Sequence, residues 1–181
     1  YTAAVVYALG SFLEERFPHE ETPFYTAFFS SAGVEEAVKF LFLFFLIWGN
    51  RNFNEPLDGI VYGVFVSLGF AWAENVIYVT HPILGGYETA LERALLSVPG
   101  HGLFGVRMGY YFALGKYRNR KRYLPLAFFS PYLAHYFLLK REPVFWLFFS
   151  VLEVRLWVFG LKRIKELQNC SPFREKVSKE S

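Results

Sequence analysis

The chain has 181 residues, 54% of them hydrophobic and 21% aromatic, with 22 Phe, a charged fraction of 19% and a formal net charge of +3. Soluble domains carry about 25% charged residues; here the charges are gathered into clusters, with largely apolar runs of roughly 17–25 residues between them, enough to cross a ~30 Å hydrocarbon core. This pattern excludes an ordinary soluble domain, the juxtamembrane placement of the basic residues excludes a nucleic-acid surface, and the single cysteine, Cys170, excludes an internal disulfide or a multi-cysteine metal site.

The predicted fold is all-α: a polytopic integral membrane helical bundle of about five to six transmembrane helices, forming one domain over residues 1–170 with a polar tail at 171–181. Residues 1–13 are apolar but too short to span alone, so residues 1–17 read as the end of a truncated helix or an interfacial one. No signal peptide is recognisable, because no basic segment precedes the apolar stretch and no small-residue cleavage site follows it. Firm spans are expected at residues 23–48, 57–80, 98–117, 123–139 and 143–161. The strongest basic cluster, residues 116–122, together with Arg51 and residues 162–165, falls on one side by alternation. The excess of Lys and Arg there predicts a cytoplasmic C-terminus in a multi-pass protein of the cell membrane.

Ionisable groups inside such spans are costly and usually mark function or a buried partner. The first span carries Glu35, Glu36 and Lys39 within SAGVEEAVKFLFLFF. Glu35 and Lys39 stand i,i+4 and are expected to pair, with Glu36 turned about 100° away. A structural ion pair accounts for those two and leaves Glu36 unexplained. Two carboxylates beside one lysine divide instead into one held ionised and one with the properties of a buried acid. The second span carries Glu74 about six residues from its outer end, with Phe70 one turn earlier and Asn75 beside it. The third opens at Ser97 with Pro99, a helix-start signal, which puts His101 in its first turn. Gly105 and Gly109 share a face with His101, and Gly59 and Gly63 repeat the spacing in the preceding span; for both pairs close helix packing is the expected role. His135 lies near the outer end of the fourth span, where a lone histidine is often simply interfacial.

Depth joins these residues. Glu35 and Glu36 fall near the midplane, and Glu74, His101 and His135 in the outer third, so four helices direct acids and imidazoles into the outer half of the bundle. Arg107, Glu153 and Arg155 read as structural or pore-edge charges, and His19 and His81 as idle loop residues.

In order along the chain, these motifs resemble those of the PrsW family of intramembrane proteases. Glu35-Glu36-Ala-Val-Lys39 is similar to its EExxK motif, and Phe70-Ala-Trp-Ala-Glu74-Asn75, preceded by Asp58-Gly59 and Gly69, to its FxxxEN segment. His101-Gly-Leu-Phe-Gly105 is similar to its third motif and His135 to the histidine of the fourth, so the likeness runs from Gly33 to His135. The wider superfamily includes CAAX prenyl-proteases and bacteriocin-processing enzymes. Those relatives carry an arginine one residue beyond Lys39, a histidine in place of Glu74, and an asparagine at the position of Leu139.

The resemblance implies hydrolysis of a membrane-embedded or membrane-adjacent protein, such as a single-span anti-sigma factor, with Glu35, Glu36, Glu74, His101 and His135 catalytic and Lys39, Phe70 and Asn75 supporting. No Ser or Cys beside a His suggests a nucleophile, so water activated by a carboxylate is the expected route. Glu35 or Glu36 would be the base, His101 and His135 would stabilise the oxyanion, and Glu74 would orient a histidine. The alternative is a zinc peptidase with His101, His135 and Glu74 or Glu36 as ligands. The metal-free route is the expectation, since no HExxH spacing is present. A proton- or metal-coupled transporter is the alternative of another class, against which stand the lack of repeat symmetry and of interrupted helices.

Overall fold

The computed structural model describes residues 32–80, 86–118, 121–139 and 143–171. The expected element at residues 1–17, residues 23–31 of the 23–48 span, residues 172–181 of the tail, His19 and His81 lie outside them. Among the described residues the protein is all-helical, with no strand. The helices are α1 (Val34–Ile47), α2 (Pro56–Thr80), α3 (Tyr87–Glu92), α4 (Val98–Tyr117), α5 (Tyr123–Leu139) and α6 (Pro143–Asn169). One of them, α2, is long and apolar enough to cross a bilayer.

Helix α2 starts where its sequence tells it to. Pro56 occupies the first helical position, where its missing N–H costs nothing. Asp58 reaches back so that its Oδ2 accepts the Asn54 and Glu55 backbone N–H groups, each at 2.9 Å. A carboxylate there also suits the positive end of the helix dipole.

The pairing of α2 with α4 organises the rest. The two run antiparallel with glycines interlocked: a Cβ added to Gly59 would lie 2.7 Å from the Gly109 carbonyl oxygen, and one on Gly105 would lie 2.6 Å from that of Gly63. Only residues without a side chain permit this approach, so the packing role expected of both glycine pairs is the one they have. Leu68 meets Gly102 one step further along. At the other end, Leu43, Phe53, Met108, Phe112, Ala113 and Ala127 form the main apolar core, bordered by Phe40, Phe44 and Trp48. Lys116 Nζ donates to the Trp48 and Phe53 carbonyls at 3.0 and 3.1 Å, and the Tyr117 hydroxyl donates to the latter at 2.7 Å. The 48–55 link is thereby tied to the end of α4. The outer surface is apolar, with Phe45, Phe65 and Trp72 each at least 70% exposed, while Glu35, Glu36, Lys39 and His101 are buried.

Two boundaries differ from expectation. Helix α4 starts at Val98 after Ser97, as expected, but Ser97 makes no side-chain cap and α3 runs into α4 through a wide π-helical turn, Arg93–Ser97. Such turns accept Pro99, because the wider backbone path removes the regular i−4 bond its nitrogen could not donate. Helix α6 continues to Asn169 instead of stopping near residue 161. The charges at 162–166 end an apolar stretch but not a helix, and Arg163 bonds Glu166 at 2.5 Å one turn on.

Candidate active site

Three helices bring the sequence-predicted residues together. Glu35, Glu36 and Lys39 project from α1, Phe70, Glu74 and Asn75 from α2, and His101 from α4. Antiparallel packing explains why Glu74 and His101 meet although His101 lies across from residues nearer 70. Side chains on an α-helix lean towards its N-terminus. Glu74 leans back along α2 and His101 back along α4, and because the helices run oppositely, the two lean towards each other. Glu74 Oε2 and His101 Nε2 are 3.2 Å apart.

Lys39 is fully buried and links the other acids to this pair. Its Nζ donates to Glu36 Oε1 at 2.6 Å and lies 2.8 Å from His101 Nδ1, with Glu35 Oε2 at 4.0 Å. The expected i,i+4 pair with Glu35 is present at 4.0 Å, but a second acid lies closer. The close partner of Lys39 is Glu36 at i,i+3, not Glu35 at i,i+4, because Lys39 must lean towards α4 to reach His101 and Glu36 is the acid on that side. The ammonium also sits 4.6 Å from the centroid of the Phe70 ring, and His101 packs beside the same ring at 6.0 Å. Phe70 thus covers one side of the ion pair with its ring.

This geometry assigns the histidine tautomer. An ammonium has no acceptor, so Lys39 donates and Nδ1 accepts. The imidazole proton then sits on Nε2 and is given to Glu74. The chain Glu36–Lys39–His101–Glu74 is continuous and completely directed.

Beyond Glu74 stands a residue that falls between the expected spans at 57–80 and 98–117. Arg93, on the π-helical turn, donates through Nη2 to Glu74 Oε2 at 3.0 Å and through Nε to Asn75 Oδ1 at 2.6 Å. No spacing rule points to it; its one signal is an arginine on the non-basic side of the chain, next to a span that carries a buried acid.

One carboxylate oxygen of Glu35, one of Glu74 and a ring nitrogen of His101 lie within 4.8 Å of one another, a set that could hold a metal ion. Glu36 is committed to Lys39. His135 lies on α5, but its side chain is outside the described residues, as is that of Glu153. Arg155 is exposed on α6, and Arg107 lies over the Phe159 ring, away from the acids.

Residues 1–138 match the family model described as PrsW family intramembrane metalloprotease. The chain belongs to the PrsW family. Its relatives named "Protease PrsW" include those of Geobacillus kaustophilus (40% identity over 152 residues, 80% of this chain and 65% of the relative) and Bacillus subtilis (37% over 152 residues, 81% and 68%). A relative of the same name from Clostridioides difficile is 32% identical over 156 residues, 81% of this chain and 66% of that one. The chain spans about two thirds of the length of these PrsW relatives. No solved structure matches it significantly. The family match ends within α5, so it takes in every helix that contributes to the Glu–Lys–His–Glu chain.

Proposed function

We propose that the protein is an intramembrane peptidase in which Glu35 activates water for attack on a peptide carbonyl. The observation that carries this reading is the buried chain Glu36–Lys39–His101–Glu74 with Glu35 beside it, drawn from three helices. Glu36 holds Lys39 at 2.6 Å, and Glu35, with Lys39 Nζ at 4.0 Å, is the acid that also faces Glu74 and His101. In the reaction Glu35 takes a proton from water as the oxygen bonds to the carbonyl carbon. As the C–N bond breaks, Glu35 returns that proton to the leaving amine. His101, held by Lys39 through Nδ1, shares its one N–H, on Nε2, between Glu74 and the developing oxyanion, and His135 supplies a second donor.

A specific observation favours a second reading. Glu35, Glu74 and His101 offer two carboxylate oxygens and an imidazole nitrogen, a donor set that fits zinc with one position left for water. A bound ion would supply Lewis-acid polarisation and a more acidic water. His101 would then have to give up the Nε2 proton that it directs at Glu74. That proton is why the carboxylate route is preferred.

The bundle is proposed to cross the membrane several times with its C-terminus in the cytoplasm. Support comes from the ends of α2 and α4. Arg51, Lys116 and Arg118 gather at one end, around the anchored 48–55 link, and Glu74 and His101 lie towards the other. Basic residues favour the cytoplasmic side, which turns the site to the outer leaflet. There it would meet a membrane-embedded or membrane-adjacent substrate, such as a single-span anti-sigma factor.

The test is to incubate the purified full chain in vesicles with a panel of single-span peptides, with and without chelator. Cleavage is expected to survive chelation and to fall by ~100-fold or more in Glu35→Gln. Stoichiometric zinc, lost together with activity and restored with it, would install the second reading. A wild-type chain that cleaves no peptide in the panel would count against both.

A further inference from the structure

Arg93 stands apart from every residue the family motifs supply, and it is the one cation among the described residues that contacts two neighbouring side chains of the FxxxEN segment. Its guanidinium bridges Glu74 and Asn75 through different nitrogens, at 3.0 and 2.6 Å, and lies 4.2 Å from the centroid of the Tyr78 ring. Three side chains on about one turn of α2, Glu74, Asn75 and Tyr78, are thus gripped from the π-helical turn. The planar fork of arginine suits this, because its donors diverge at fixed angles; a lysine could reach one acceptor or the other.

The wide turn makes the grip possible. Arg93 and His101 are eight residues apart. In a regular α-helix this separation turns the second residue about 80° away from the first, at ~100° per residue. The Arg93–Ser97 π-helical turn absorbs about one residue, so the pair behaves as if seven apart, ~20° from alignment. Both side chains therefore face α2, and both reach the same atom, Glu74 Oε2. Without that turn, a helix presenting His101 to Glu74 would swing Arg93 off the interface.

We propose that Arg93 is a positioning residue: it holds Glu74 and Asn75 in the rotamers that present Glu74 Oε2 to His101, and so fixes the imidazole from the outer side as Lys39 fixes it from the inner side. Arg93 touches neither water nor substrate in this scheme. The assignment rests on the peptidase reading above.

The experiment compares wild type, Arg93→Ala, Arg93→Lys and Arg93→Gln of the full chain in vesicles, with a peptide that wild type cleaves. In Arg93→Ala, kcat is expected to drop ~10–100-fold with KM within ~3-fold, the size of loss that follows small misplacement of a catalytic group. Added guanidinium should restore part of that kcat, and Arg93→Lys should fall between wild type and Arg93→Ala. Arg93→Ala with wild-type kcat would overturn the assignment, and so would a loss confined to KM or one that guanidinium leaves untouched. If Arg93→Ala and Arg93→Gln fail to fold, Arg93→Lys decides: wild-type kcat in that variant removes any need for the fork and refutes the proposal. Wild type that cleaves no peptide sinks the peptidase reading and this assignment together, whereas active wild type with an unaffected Arg93→Ala sinks this assignment alone.

Discussion

Removing the ammonium of Lys39 should be more damaging than removing either acid and the ammonium together. Lys39 and Glu36 have no exposed side-chain surface and their charged atoms are 2.6 Å apart. At an effective dielectric of ~20 their attraction is about 6 kcal/mol, against about 4 kcal/mol for Glu35 at its 4.0 Å separation. The attraction offsets the cost of taking both charges out of water, so the intact pair contributes little net stability. A single deletion loses the attraction and keeps the cost of the surviving charge. Lys39→Met and Glu36→Gln are each expected to cost ~3–5 kcal/mol, and Lys39→Met/Glu36→Gln together less than either alone. Read as thermal unfolding in detergent micelles, each single variant should melt roughly 6–20 °C below wild type for a chain of this size, with the double variant recovering much of the difference. Glu35→Gln, whose oxygen is further from Nζ, should melt less far below wild type than Glu36→Gln while losing activity. If the two single effects simply add in the double variant, within ~0.5 kcal/mol, the pair is not coupled. The assignment of Glu36 as the partner of Lys39 would then be wrong.

The other predictions concern the packing that supports the site. Gly63→Ala should destabilise the protein by ~1–3 kcal/mol, because the new Cβ would lie 2.9 Å from Gly109 Cα and backbone cannot yield as a side chain can. Gly69→Ala, with nothing within 4 Å of its Cβ, should be neutral or stabilising in the same melt, and equal effects would refute the interlocked register. Lys116→Met should release the 48–55 link by stripping two carbonyls of their donor, at a cost of ~1–3 kcal/mol. Limited proteolysis near Asn50–Asn54 should then accelerate, and an unchanged cleavage pattern would show that the Phe53 packing holds the link unaided.

Much of the helix plan was legible because it follows from solvent chemistry. The apolar runs at 98–117 and 123–139 coincide with α4 and α5. Helix α6 runs past the apolar 143–161 stretch to Asn169, because charge ends an apolar run and says nothing about where a helix must stop. Gly59, Gly63, Gly105 and Gly109 were legible as packing glycines from spacing alone, but the register that sets Gly63 against Gly105 needs both helices in place. The same limit governs the site. That Glu35, Glu36, Glu74 and His101 belong together could be read from depth; which acid Lys39 takes could not. Helical spacing permits i+3 and i+4 pairs equally, and a tertiary contact, His101 Nδ1 at 2.8 Å, chooses between them.

Arg93 shows why a site on interlocked helices has parts that spacing rules do not reach. Residues that face one another across α2 and α4 obey an antiparallel register, in which Gly59 meets Ala113 and Leu68 meets Gly102. Extended outwards, that register brings Tyr78 opposite Arg93, where the guanidinium is found over the ring. In sequence, Arg93 is a charge in a link; in the bundle, it is the next rung of the ladder that already holds Glu74 to His101. The polar chain therefore reaches from Glu36, with no exposed side-chain surface, to Arg93, whose side chain is 16% exposed. Each group in that chain is paired with its neighbour, which is the condition under which charges this deep can be kept at all. Glu35 stands beside this chain, 4.0 Å from the Lys39 ammonium. A carboxylate in that position, steadied by neighbours that are themselves fixed, is suited to accept a proton from water.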